Sequence, residues 1–122
     1  MKKLNLLFLL LFAVMISCNS DSKDNVVVLV KYKTQPNKNI DAIDALKSLI
    51  SEVKKEDHFQ QIRMYVDPQN NSNILLYEEW DNENYYNNEH LKTPHFLKFK
   101  ELSSAFLVGP PEITFWKLNE TY

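Results

Sequence analysis

The sequence of 122 residues contains only one glycine and only one cysteine. Nucleotide-binding loops of the Rossmann and P-loop types need several glycines, because the backbone there must approach phosphate closely. The single glycine, Gly109, excludes both types of loop. A single cysteine excludes a disulfide framework, a cysteine-rich zinc site and a CxxC redox pair. The composition therefore argues against nucleotide-driven and dithiol chemistry.

The chain also lacks an excess of charge of either sign. Its 14 lysines and arginines face 16 acidic residues, which gives a formal net charge of −2. This balance provides no basic surface for nucleic acid and no polybasic patch for a membrane. The hydrophobic fraction of 44% and the charged fraction of 25% are those of an ordinary globular domain. We therefore expect one folded domain that does not bind nucleic acid.

Residues 1–17 have the organisation of a bacterial lipoprotein signal peptide. A short basic segment, Met1 to Lys3, precedes an apolar segment from Leu4 to Ile16. The apolar segment is shorter than the roughly 20 residues that span a bilayer, which is typical of a signal peptide. Its end, Val14 to Cys18, resembles a lipobox, in which the cysteine becomes the lipidated first residue of the mature protein.

Lipidation of Cys18 predicts a protein that is anchored to a membrane of the bacterial cell envelope. Asn19 follows the cysteine and is not acidic, so the signal associated with inner-membrane retention is missing and we expect the outer membrane. The polar segment 18–25 then serves as a flexible tether. The domain itself is predicted over 26–118, with 119–122 as a C-terminal tail. The alternative is an ordinary secretion leader or membrane-anchored leader in which the thiol has no role.

From residue 26 onward, hydrophobic periodicity alternates between that of strands and that of helices. Four strands are predicted at 26–33, 60–66, 74–80 and 113–118, and three helices at 39–55, 81–91 and 94–108. The order β-α-β-β-α-α-β is the split βαβ plan of ferredoxin-like α+β domains. We therefore predict a four-stranded antiparallel sheet with helices on one face.

Apolar residues occupy both faces of the first predicted strand, Val28 and Val30 on one face and Val27 and Leu29 on the other. Helices in this plan cover only one face of the sheet. A domain of this size has no further element for the second face. We therefore predict a homodimer in which two sheets pack face to face as a dimeric α/β barrel.

The third predicted strand and the helices after it carry the residues of chemical interest. Glu78 and Trp80 form an acidic-x-aromatic strand end, His90 follows in the next helix, and Thr93 to Phe96 form an S/T-P-H-aromatic turn. In this order the motifs resemble the signature of the antibiotic biosynthesis monooxygenase superfamily, over about residues 26 to 118. Small quinol monooxygenases, and the isomerase that processes the phosphorylated autoinducer-2 signal, look most similar.

The resemblance implies a dimer of ferredoxin-like units that works without metal or flavin. In the family's oxygenases an electron-rich phenol or quinol is deprotonated, and the resulting anion reacts directly with dioxygen. The chain is thus expected to be a cofactor-independent monooxygenase of a small electron-rich aromatic or quinol substrate, with dioxygen as co-substrate. Two alternatives stay open: a lipid-anchored dimer that binds a small hydrophobic molecule without catalysis, and an isomerase like the autoinducer-2 relative.

Cofactor-free oxygenation needs a dry pocket, a base and a group that holds an anion. Histidine is the side chain that titrates near neutral pH without perturbation, and His90 is the expected base. The expected substrate-binding residues are His95, Trp80, Glu78 and Arg63, with Arg63 as the holder of an oxyanion. Each of the five also has a purely structural interpretation, such as a core position for Trp80 and a surface position for Arg63.

No metal site is expected from the sequence. His90, His95, Glu89 and Glu78 offer the right ligand types, but they contain no fixed i, i+4 pair. The Thr93-Pro94 break also leaves their relative geometry undefined. Ligand types without a defined spacing are weak evidence for a metal.

Overall fold

The computed structural model describes residues 24–122. The signal peptide and Cys18 lie outside the described residues, so lipidation and envelope anchoring stay predictions. The strands and helices, in chain order, are β1 (Val26–Lys33), α1 (Asn39–Val53), β2 (Phe59–Val66), β3 (Asn73–Trp80), α2 (Glu83–Asn88), α3 (Pro94–Leu102) and β4 (Glu112–Trp116). None of the helices between residues 24 and 122 has the length and apolarity that a membrane crossing requires.

The four strands form one antiparallel sheet in the order β2-β3-β1-β4. In the centre, Val28 of β1 lies opposite Glu78 of β3, and on its other side it lies opposite Phe115 of β4. Helices α1 and α3 contact each other. The prediction of an α+β, ferredoxin-like split βαβ fold with a four-stranded antiparallel sheet is confirmed.

The core lies between the helices and one face of the sheet. Because successive side chains of a strand point to opposite faces, alternate residues of the two central strands are buried. They are Val26, Val28, Val30, Tyr32, Ile74, Leu76, Glu78 and Trp80. Helix α1 contributes a stripe at spacings of three and four, Ala42, Leu46, Leu49 and Val53. Ile40, in the first turn of α1, lies outside this stripe and is 66% exposed.

The opposite face of the sheet carries the other set of strand residues. Val27, Leu29, Leu75 and Tyr77 are only partly buried there, and Trp116 is 56% exposed. The register places Leu29 between Tyr77 and Thr114, so apolar side chains adjoin one another across the strands. We call the face formed by Val27, Leu29, Leu75, Tyr77 and Trp116 the open face.

The helices that carry the candidate site differ from the prediction at their ends. Asn82 caps α2 by accepting from the Tyr85 backbone N–H, but α2 ends at Asn88. His90 therefore does not end a helix; it begins a separate 3-10 turn, His90–Lys92. Thr93 caps α3 and Pro94 occupies its first turn, which confirms the predicted start. The helix ends at Leu102, well before Gly109, where a second 3-10 turn follows.

Candidate active site

A cavity of about 670 Å³ lies between the sheet and the helices. Its volume falls in the range of pockets that enclose small organic molecules. Most of its wall is apolar, including Val30, Leu49, Val53, Leu76, Phe99 and Ile113. His90 and Glu78 also line it. A second cavity of about 700 Å³, beside the turn between β2 and β3, has no histidine in its wall. The cavity of about 670 Å³, which His90 and Glu78 line, is therefore the candidate active site.

Three aromatic rings from three different elements hold the His90 imidazole. The Tyr86 ring of α2 stacks on it at a centroid distance of 4.9 Å, and the Trp80 ring of β3 lies 4.6 Å away. The Phe96 ring of α3 lies at 5.3 Å. His90 is 3% exposed. Because the ring is enclosed on several sides, its orientation is fixed before any substrate binds.

Glu56, in the loop between α1 and β2, is the residue that the sequence analysis missed. Its side chain is 6% exposed. One carboxylate oxygen, Oε2, lies 2.9 Å from Nδ1 of His90 and 2.8 Å from Nε2 of His95. The other oxygen, Oε1, accepts a hydrogen bond from the Tyr85 hydroxyl at 3.1 Å. Burial and this hydrogen bond raise the pKa of Tyr85 to about 12, so the hydroxyl keeps its proton.

The hydrogen bond to Glu56 decides which nitrogen of His90 is free. A carboxylate only accepts hydrogen bonds, so Nδ1 of His90 carries the proton and donates it. Burial lowers the pKa of His90, although the Glu56 charge opposes this effect, so the ring is neutral at neutral pH. A neutral imidazole with its proton on Nδ1 has a lone pair on Nε2. That atom has no hydrogen-bond partner among residues 24–122, on a ring that lines the cavity.

Glu78 is the second titratable group in the cavity wall. It is 5% exposed, and one of its oxygens accepts from the Trp80 indole N–H at 2.9 Å. Burial raises the pKa of Glu78 to about 7, and the nearby Glu56 charge adds to the effect. No lysine or arginine pairs with it within the described part of the chain. At neutral pH this carboxyl therefore exists in both protonation states.

The structure brings four of the five predicted site residues together. His90 and Glu78 line the cavity. Trp80 is 1% exposed and contacts both of them in the core. His95 does not line the cavity, and its Nε2 contacts the Glu56 carboxylate. Arg63 is not brought to the cavity. It pairs in register with Tyr77 on the open face, and its guanidinium lies 5.7 Å from the Tyr77 ring centroid.

The wall also contains residues that the analysis of site motifs did not single out. Lys100 of α3 lines the cavity and is exposed, so it supplies a positive charge at the solvent side. Tyr32 and Tyr86 line the apolar part, and burial raises the pKa of both hydroxyls. Lys100 directly follows the buried Phe99 in α3. An exposed lysine beside a buried helix residue is too common a pattern to mark a site.

Glu56, His90 and His95 also form a group that is able to hold a metal ion. Their ligand atoms lie within 4.8 Å of one another, and no other such group occurs in residues 24–122. From the sequence, no metal site was expected, and the carboxylates considered beside the two histidines were those of Glu89 and Glu78. The carboxylate that approaches both of them comes from a distant loop.

The model of the antibiotic biosynthesis monooxygenase family matches residues 25–102. The chain belongs to this family. The matched segment of the antibiotic biosynthesis monooxygenase domain includes Glu56, Glu78, His90 and His95, whereas Ile113 of the cavity wall follows it. The resemblance stated from the motifs is confirmed.

Solved structures share the fold over most of their length. A conserved protein from Methanosarcina mazei Go1 is 26% identical, with a TM-score of 0.72 over 79% of this chain and 94% of that one. A conserved protein from Bacteroides thetaiotaomicron is 16% identical, with a TM-score of 0.70 over 80% and 100%. SnoaB from Streptomyces nogalater, a cofactor-independent oxygenase, is 11% identical, with a TM-score of 0.71 over 80% and 96%. A search of curated proteins found no match.

Proposed function

We propose that the protein is a cofactor-independent monooxygenase that oxidises a small electron-rich aromatic or quinol substrate with dioxygen. One observation carries the proposal. The imidazole of His90 is neutral, is oriented by the buried Glu56 carboxylate, lines an apolar cavity, and has on Nε2 a lone pair without a partner among residues 24–122. This is the arrangement that a general base needs when its substrate is a weakly acidic hydroxyl group.

In the proposed reaction, Nε2 of His90 removes the proton of a substrate hydroxyl. The Glu56 carboxylate stabilises the imidazolium that forms, because Nδ1–H already points at it. The phenolate then forms a carbon–oxygen bond with dioxygen, and the returned proton gives a hydroperoxide. Loss of water yields the quinone. One oxygen atom enters the product and the other leaves as water, so the substrate supplies both electrons and no external reductant is needed.

Glu78 gives the cavity a group that binds the reacting oxygen. With a pKa of about 7, its protonated form is populated at neutral pH and donates a hydrogen bond to the developing anion. The apolar wall excludes water and accommodates an aromatic ring. Lys100, exposed at the solvent side, then favours substrates with a polar or anionic substituent that points outward.

We also propose the assembly and location that the sequence predicts. The open face, with Leu29, Leu75 and Tyr77 only partly buried, supports a homodimer with sheets face to face. Lipidation of Cys18 would attach this dimer to a membrane of the cell envelope, with the outer membrane favoured. In cells that carry Cys18→Ser the protein should stay uncleaved or become soluble, whereas the wild-type mature protein should be found in membrane fractions; wild-type mature protein found only in the soluble fraction would contradict the anchor.

Oxygen uptake with a panel of phenols, catechols and quinols tests the function directly. We expect uptake with at least one ring type, with one water formed per quinone and no added metal or flavin. Saturable binding of the same compounds without oxygen uptake would contradict the proposal and favour a binding protein. The matched control is His90→Gln, which should bind the compounds and consume no oxygen above background.

A further inference from the structure

Three potential metal ligands lie together at the Nδ1 side of the His90 ring. Nδ1 of His90, Nε2 of His95 and Oε2 of Glu56 lie 2.8–2.9 Å apart along the two hydrogen bonds that join them. Two ligand atoms bound at about 2.1 Å to a tetrahedral ion are separated by about 3.4 Å. All three atoms lie within 4.8 Å of one another, so modest side-chain shifts would place them around one ion.

The charge of this group favours a cation. Glu56 is 94% buried by side-chain area, and its ion-pair partners within the described residues are the two histidines alone. No lysine or arginine within the described residues pairs with the Glu56 carboxylate, so a divalent cation would supply a positive charge beside it. His95 is 22% exposed, so an ion has a path to the group and room for water as a further ligand.

We propose that Glu56, His90 and His95 bind a divalent transition-metal ion of the zinc class, and that the bound ion prevents His90 from acting as the base. Two imidazoles with one carboxylate suit zinc, cobalt or iron(II), whereas magnesium and calcium prefer oxygen ligands. Neither Glu56 nor His95 lines the cavity. The ion therefore lies behind the His90 ring, where it does not contact substrate.

The bound ion would inhibit the reaction because the two nitrogens of the neutral His90 ring share a single proton. A metal ion takes the lone pair of Nδ1, so the single proton of a neutral imidazole must move to Nε2. Nε2 then presents an N–H to the cavity and no longer accepts a proton. This second part rests on the proposed function, while metal binding itself does not.

Cobalt(II) titration of the mature protein, residues 18–122, tests metal binding without any activity assay. We expect visible absorption bands of protein-bound cobalt that saturate at one ion per chain and disappear when zinc is added. His95→Gln and Glu56→Gln should weaken binding at least tenfold. The matched controls are His58→Gln and Glu89→Gln, which change an exposed histidine and an exposed glutamate outside the group and should bind cobalt like the wild type.

Absent bands, or equal binding by wild type and His95→Gln, would overturn the site. His95 is partly exposed, so this variant decides the test even where Glu56→Gln does not fold. For the inhibitory effect, zinc should stop oxygen uptake by the wild type. The zinc concentration that inhibits His95→Gln should be at least tenfold higher. Uptake that persists in the cobalt- or zinc-saturated protein would overturn the second part. Binding in a protein that never consumes oxygen would instead contradict the proposed function and leave the site intact.

Discussion

Glu56 accepts a hydrogen bond from Nδ1 of His90 at 2.9 Å, across 34 residues of sequence. This bond fixes both the orientation and the protonation of the imidazole, and it leaves the lone pair on Nε2. The candidate site is therefore a pair rather than a single histidine. Glu56 acts through His90, so it is a positioning residue.

Glu56→Gln should lower kcat at least tenfold while KM changes little, because the amide positions His90 poorly and does not stabilise the imidazolium. The amide N–H₂ also competes with Nδ1–H for the donor role, which favours the wrong tautomer. Steady-state oxygen uptake by this variant and by the control Glu89→Gln checks the prediction. Equal kcat values in the two variants would show that Glu56 has no positioning role.

Glu78→Gln should stabilise the protein at high pH. The pKa of Glu78 rises from 4.5 to about 7 on folding, so the native state holds a proton that the unfolded chain releases. Between pH 4.5 and 7 this group therefore lowers wild-type stability as pH rises, by roughly 3 kcal/mol in all. The amide does not titrate, so the melting-temperature difference, variant minus wild type, should grow over this range and level off above pH 7. A difference that stays constant with pH would contradict the raised pKa.

The rate of oxygen uptake should have a bell-shaped pH dependence. His90 must be neutral to act as a base, so activity should fall at acidic pH, below the ordinary histidine pKa of 6.5, because burial lowers the pKa of His90. Glu78 must be protonated to donate, so activity should also fall above about pH 7. Glu78→Gln should remove the alkaline limb and keep the acidic one. A profile whose alkaline limb survives in that variant would assign the limb to another group.

The mature protein should be a dimer at micromolar concentration, since a monomer leaves the open face in water. Leu29→Arg places a charge in the middle of that face and should produce monomers, as measured by light scattering. The control is Val108→Arg, at a position that is 61% exposed and lies outside the sheet, which should stay dimeric. A monomeric wild-type protein would exclude this interface.

The sequence predicted the elements whose signals are local. The apolar run of β1, and Thr93 directly before Pro94 at the start of α3, are signals that act within a few residues, and the structure contains the strand and the helix start that they predict. The end of α2 was missed because the Asn88 side chain donates to the Asn84 carbonyl, and such bonds compete with helix continuation. This early end places His90 in a 3-10 turn.

Glu56 could not be predicted in the same way. It follows Lys54 and Lys55 in a charged segment, which is the usual pattern of a solvent-exposed turn. Its burial depends on Tyr85 and the two histidines, which are distant in sequence and reach it only when α2 and α3 pack beside the loop. Arg63 illustrates the converse. Its residue type suits an oxyanion, but the β2 register assigns it to the open face.

Replacement of His90 is the most direct test of the account. His90→Gln keeps a hydrogen-bonding side chain but removes the base, so oxygen uptake should fall about a hundredfold or more, and His90→Ala should fall as far. His58→Gln, a change at an exposed histidine that pairs with Asp81, contacts the Tyr85 ring and does not line the cavity, should keep the wild-type rate. A substrate-bound but inactive His90→Gln variant is the result we predict. Wild-type oxygen uptake by His90→Gln would contradict the assignment of the base.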